Sequence, residues 1–107
     1  MVLNEKFAEY IMDQLSGIKG TSMKRMFGGA GIFHNGKMFA LIHEARFFMK
    51  VDDRNIERFQ ERGMERFKPF KDKPMKMPYY EVPSEVLENR EELDDWAGSS
   101  IRAAHGN

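Results

Sequence analysis

The stretch from Lys24 to Ile42 constrains the fold most, because two apolar runs there are separated by Asn35-Gly36. Asn and Gly tolerate the positive φ that both central positions of a type I′ turn require, so the stretch predicts a β-hairpin with a two-residue loop. That loop sets a register, with His34 opposite Lys37, Phe33 opposite Met38 and Ile32 opposite Phe39. A third run, Arg46 to Val51, follows at once. A two-residue connection at Glu44-Ala45 places Ile42 against Phe47, Leu41 against Phe48 and Ala40 against Met49. Strict alternation then predicts two faces. Gly31, Phe33, Met38, Ala40, Ile42, Phe47, Met49 and Val51 form an apolar face that the helices should cover. Ile32, His34, Lys37, Phe39, Leu41, His43, Arg46, Phe48 and Lys50 form a mixed face of apolar and basic residues.

The flanking sequence supplies the helices. Leu3, Phe7, Ile11, Leu15 and Ile18 recur at spacings of four and three, which places them on one helical face, and Gly17 and Gly20 end that helix. Thr21 to Phe27 reads as a strand, and Gly28-Gly29 lets the backbone bend before Ala30 to His34. Asp52 and Asp53 place carboxylates where a helix start favours them, Ile56 and Phe59 give that helix an apolar edge, and Gly63 ends it. Met64 to Phe70 and Met75 to Val82 read as two more strands around a Lys71–Pro74 turn, and Pro83-Ser84 opens a helical turn through Leu87. Asn89-Arg90-Glu91-Glu92 has the form of a capping box, and Leu93, Trp96, Ala97, Ile101 and Ala104 continue at helical spacing. Tyr79 and Tyr80 should point to opposite faces of their strand, one packed inward and the other available to solvent or a partner. The order is α-β-β-β-β-α-β-β-α, an α+β fold with a single antiparallel sheet of about six strands flanked by helices.

A chain of 107 residues, 41% of them hydrophobic, holds one domain with one core, here residues 1–107. It has no cysteine, which excludes disulfides, thiolate nucleophiles and Cys-ligated metals and points to an intracellular compartment. Glu5 and Glu9 interrupt the N-terminal apolar residues, unlike a signal peptide, and no run is long enough to span a membrane, so a cytoplasmic location is expected. Net charge is zero but uneven. Lys19 to Lys76 holds 14 Lys and Arg against 7 Asp and Glu, whereas Glu81 to Asp95 holds 7 acidic residues against Arg90 alone. Mutual attraction within the domain is the plainer reading of this asymmetry, and a polyanion-binding surface is the alternative.

Catalytic and cofactor patterns are weak. His34 and His43 stand roughly 20 Å apart at about 3.3 Å per residue, too far to share a metal ion, and His105 lies in a tail expected to fray. Gly28-Gly29-Ala30-Gly31 precedes a strand and lacks the Gly-Lys-Ser/Thr ending of a phosphate loop. Asp52-Asp53 and Asp94-Asp95 are neighbours in sequence that diverge on a helix and form no acid/base dyad. No catalytic, cofactor or metal residues are therefore expected. The nine methionines suit either an irregular core or an adaptable binding surface.

Several short motifs resemble one family in the right order. They are Arg25-Met26-Phe27-Gly28-Gly29-Ala30-Gly31, Gly36-Lys37-Met38-Phe39-Ala40, Pro69-Phe70, Met77-Pro78-Tyr79-Tyr80-Glu81-Val82-Pro83 and Leu93-Asp94-Asp95-Trp96-Ala97. Together they look like the N-terminal domain of the TfoX (Sxy) proteins. The resemblance implies an α/β domain with one antiparallel sheet, similar to secretion-chaperone-like folds, in bacterial proteins tied to DNA-uptake competence. Full-length members carry a second, helical C-terminal domain, which is not expected within these 107 residues.

The resemblance implies a non-enzymatic regulatory module whose partner is a protein, such as a transcription regulator. The alternative is a nucleic-acid-binding module, with Phe39 and Phe48 as stacking platforms and Lys37, Arg46 and Lys50 for phosphates. Arg25, Lys37, Phe39, Arg46, Phe48 and Lys50 are the candidate partner-binding residues. A bare mixed face would be a large apolar patch for a soluble monomer, so a terminal helix or a second copy in a homodimer should cover it.

Overall fold

The computed structural model describes residues 3–26, 28–68 and 77–106. Its elements in chain order are α1 (Glu5–Gln14), β1 (Thr21–Met26), β2 (Gly29–His34), β3 (Lys37–His43), β4 (Arg46–Lys50), α2 (Ile56–Gln60), β5 (Tyr79–Glu81), α3 (Ser84–Leu87) and α4 (Arg90–His105). The fold is α+β. One antiparallel sheet runs β1-β2-β3-β4-β5, so every neighbour in the sheet is also the neighbour in sequence. Among the described residues the sheet has five strands, where about six were expected. Of the expected strand from Met64, only an isolated bridge between Arg66 and Tyr80 forms among the described residues. The Lys71–Pro74 turn and the start of the last expected strand lie outside them.

Local chemistry accounts for the boundaries. Asn4 caps α1 by accepting from the Phe7 amide at 3.0 Å, and Asn89 caps α4 by accepting from Glu92 at 3.1 Å. Asn35 and Gly36 have φ of 49° and 86°, the left-handed pair that a type I′ hairpin demands. Glu44 takes φ 58° at the next turn, and β3 pairs with β4 in the expected register, Ile42 with Phe47 and Leu41 with Phe48.

The register of the first hairpin changes part-way along. Phe33 pairs with Met38 as expected, but Ile32 pairs with Ala40, with a shift between Ile32 and Phe33. Phe39 is the extra residue of a β-bulge, and Phe39 and Ala40 both join the main core. The bulge corrects the expected faces. Ile32 and Phe39 belong to the core instead of the mixed face, and Met38 joins a cluster on the other side of the sheet. Ala40, Ile42, Phe47, Met49 and Val51 are in the core as expected, packed with Ile11 of α1, Leu15 at its C-cap, and Leu93, Trp96 and Ala97 of α4.

The second side of the sheet carries a smaller cluster of Leu41, Phe48, Phe67 and Tyr79, with Met38 and Met77 against it. Tyr80 faces the main core, so the two adjacent tyrosines do alternate, and both are buried. The cover expected from a helix or another chain comes, over Phe48, from the chain's own Phe67, whose ring centroid lies 4.8 Å from that of Phe48. A bare mixed face therefore gives no reason for a homodimer at Phe48.

Part of the uneven charge is met by ion pairs between the basic middle and the acidic C-terminal stretch. Arg62 bridges Glu85 of α3 and Glu92 of α4, both at 3.2 Å, while Arg58 meets Asp95 at 3.6 Å. α2 and the turn after it are thus held to α3 and the acidic start of α4.

Candidate functional site

The six candidate residues are not one cluster. Arg46, Phe48 and Lys50 alternate along β4 and so share its second side, as the period of two requires. Arg46 donates to Glu81 of β5 at 2.6 Å, and its guanidinium lies 5.3 Å from the Phe48 ring centroid. The bond to Glu81 raises the Arg46 pKa above its already high ordinary value. Lys50 stands with its Nζ 5.8 Å over the Tyr79 ring. Both cations are anchored by neighbours while remaining at the surface.

Phe48 is 2% exposed and Phe39 is completely buried. Neither offers a ring face to a base, which removes the expected stacking platforms. Lys37 is exposed at the start of β3, beside the hairpin tip. Arg25 is exposed on β1 and forms an ion pair with Glu5 of α1. That bond lowers the Glu5 pKa below the usual carboxylate value.

Around Arg46 the turn after β3 and the segment 65–68 form an open groove of about 310 Å³, lined by His43, Glu44, Arg46, Phe48, Glu65, Arg66, Phe67 and Lys68. The charges are mixed, and no group of three or more His, Asp or Glu is placed to hold a metal among the described residues. The groove brings cations and carboxylates together beside aromatic side chains, without a nucleophile next to a base.

Sequence reasoning missed one contact between distant elements. His105 does not fray away from the fold. Its Nε2 lies 3.3 Å from Nδ1 of His34 and 3.0 Å from the His34 carbonyl oxygen, tying the last turn of α4 to the end of β2. Nothing in the local sequence signals this, because the contact depends on the length and direction of a 16-residue helix. Phe67 was missed as a cover for Phe48 for a similar reason. Its position depends on the path after Gly63, where φ is 71°.

No helix among the described residues is long and apolar enough to cross a membrane. Residues 13–104 match the family described as the TfoX N-terminal domain. Over 67 residues the chain is 33% identical to the DNA transformation protein TfoX1 of Aliivibrio fischeri, a match covering 63% of this chain and 32% of that protein. The matched range takes in the five described strands, α2, α3 and nearly all of α4, and only the last two residues of α1, and the chain belongs to the TfoX N-terminal domain family.

Proposed function

We propose that this chain is a non-enzymatic regulatory domain that acts by binding another protein, in the cytoplasm and in the control of DNA-uptake competence. The observation that carries the choice of a protein partner is the burial of Phe39 and Phe48, 0% and 2% exposed. A nucleic-acid module of the sheet type needs aromatic faces open to bases. Here the aromatics of the candidate set are inside, and what remains is Arg25 and Arg46, each paired with a carboxylate, Lys50 over the Tyr79 ring, and the exposed Lys37. Such a surface suits the polar rim and Arg-rich contacts of a protein interface. The link to competence rests on family membership and on likeness to a DNA transformation protein. A transcription regulator is the partner class that fits a domain of this kind.

Partner capture with the purified domain, identified by mass spectrometry, tests this together with fluorescence anisotropy on labelled single- and double-stranded oligonucleotides. The expected result is a protein retained at physiological salt, with Arg25→Glu, Lys37→Glu and Arg46→Glu/Lys50→Glu showing which of the exposed candidate cations it needs. Oligonucleotide binding that falls steeply with salt, with no retained protein, overturns the proposal.

A further inference from the structure

The two edges of the sheet are treated differently. At the β5 edge, the Phe67 amide donates to the Tyr79 carbonyl at 2.8 Å and the Glu81 amide donates to the Glu65 carbonyl at 3.0 Å, so the segment before it closes the edge. At the β1 edge nothing is paired on the outer side among the described residues. The Asn35 amide donates to the Gly20 carbonyl at 3.1 Å, which fixes the phase of the β1–β2 ladder. By alternation Ser22, Lys24 and Met26 bond to β2, and Thr21, Met23 and Arg25 turn their backbone N–H and C=O groups outward.

The surroundings of this edge select what can pair with it. No Asp or Glu occurs between Asp13 and Glu44, whereas Lys19, Lys24, Arg25 and Lys37 all fall in that interval. Of these, Arg25 alone has an ion-pair partner among the described residues. On the second side of the sheet Met26, 41% exposed, reaches toward Gly31, where its methyl group meets the space also approached by Met38 and Phe33. The edge thus offers unpaired amides, uncompensated positive charge and a flexible thioether surface.

We propose that β1 accepts an extended, acidic segment of a protein partner as a sixth strand of the sheet. This rests on the reading that the partner is a protein, and it adds where and in what conformation that partner binds. Main-chain bonds to Met23 and Arg25 set the register, and acidic side chains at alternate positions of the incoming strand line one side of the sheet, where they meet Lys24, while the positions between them face the side on which Arg25 is held by Glu5. A second copy of this chain fits poorly. Antiparallel pairing of β1 with itself sets Lys24 opposite or diagonal to Lys24 of the other copy, with both Arg25 side chains close by and no carboxylate between strands.

The probe is a seven-residue N-acetylated peptide amide alternating valine with glutamate, and its control has lysine in place of glutamate. Amide shifts and hydrogen exchange of the whole 107-residue chain are followed by NMR. The acidic peptide should slow exchange at the Thr21, Met23 and Arg25 amides at least tenfold, leave the β4–β5 amides unmoved, and bind at least tenfold tighter than the lysine peptide. Lys24→Glu, which leaves the ladder to β2 intact, should weaken binding tenfold or more, and Met23→Pro, which removes an outward N–H, should abolish it. Equal binding of both peptides, no slowing at β1, or a peptide-free dimer whose Met23 and Arg25 amides are already protected overturns the proposal. A protein partner still captured in full by the Lys24→Glu variant defeats the edge as the site while leaving protein binding intact. Oligonucleotide binding without any protein partner defeats both.

Discussion

Asn55, just ahead of α2, donates from Nδ2 to Oγ of Ser99 on α4 at 3.2 Å and to the Lys50 carbonyl at 3.1 Å, while its Oδ1 accepts from the Asp52 amide at 2.8 Å. The residue is 3% exposed. One amide side chain therefore joins the end of β4, the start of α2 and the middle of α4. Asn55→Ala leaves buried backbone groups without partners and should cost on the order of 3 kcal/mol. Urea unfolding followed by the fluorescence of Trp96, the single tryptophan, measures it. A loss below about 0.5 kcal/mol, the range of plain surface substitutions, contradicts this role.

Phe47 and Phe48 are neighbours in sequence on opposite sides of β4, and each is 2% exposed. Truncating either to alanine should cost about 3–5 kcal/mol. The informative half of the pair is Phe48, because an exposed mixed face would make its loss nearly neutral. Stability near wild type in Phe48→Ala would mean that Phe67 does not cover it in solution.

Gly29 and Gly31 look alike in the sequence but not in the sheet. A Cβ at Gly29 would press into the Ile42 backbone carbonyl oxygen, whereas at Gly31 it would meet the side chains of Met38, Met26 and Phe33, which can turn aside. Gly29→Ala should thus be the more damaging, at about 3 kcal/mol or loss of folding, and Gly31→Ala the milder, at about 1 kcal/mol. Reversal of that order in thermal melts would count against the β2–β3 register.

The hairpin could be read directly from Asn35-Gly36, since few residue pairs accept two successive positive φ values, and the β3–β4 register followed from the next short turn. The bulge at Phe39 could not. Met38-Phe39-Ala40-Leu41-Ile42 is an unbroken apolar run, so no polar residue marks which position is extra, and the assignment of the hairpin tip came out inverted. Among the candidate residues, alternation placed Arg46, Phe48 and Lys50 together correctly. It gave no hint that Glu81 would hold Arg46 or that Phe67 would close over Phe48, because both depend on where later chain segments return.

Tyr79 gives an alkaline signature. Burial disfavours the phenolate and pushes its pKa up from 10.0 to about 12. Its folded-state value is above the unfolded one, so its contribution to stability is whole below the unfolded value near 10 and is lost as pH rises through about 12. Absorbance at the phenolate band should show a step near 12 that is absent from Tyr79→Phe. A titration that Tyr79→Phe leaves unchanged near 12 would contradict the burial of that hydroxyl beside the Met38 carbonyl, 3.3 Å away.

A sheet sealed at β5 and open at β1 is a one-ended template. Polymerisation needs two reactive ends on each unit, and here the bridge from Arg66 and the bonds from Phe67 and Glu65 occupy one of them. Copies of the domain that met through their β1 edges would therefore stop at two instead of stacking into a fibre.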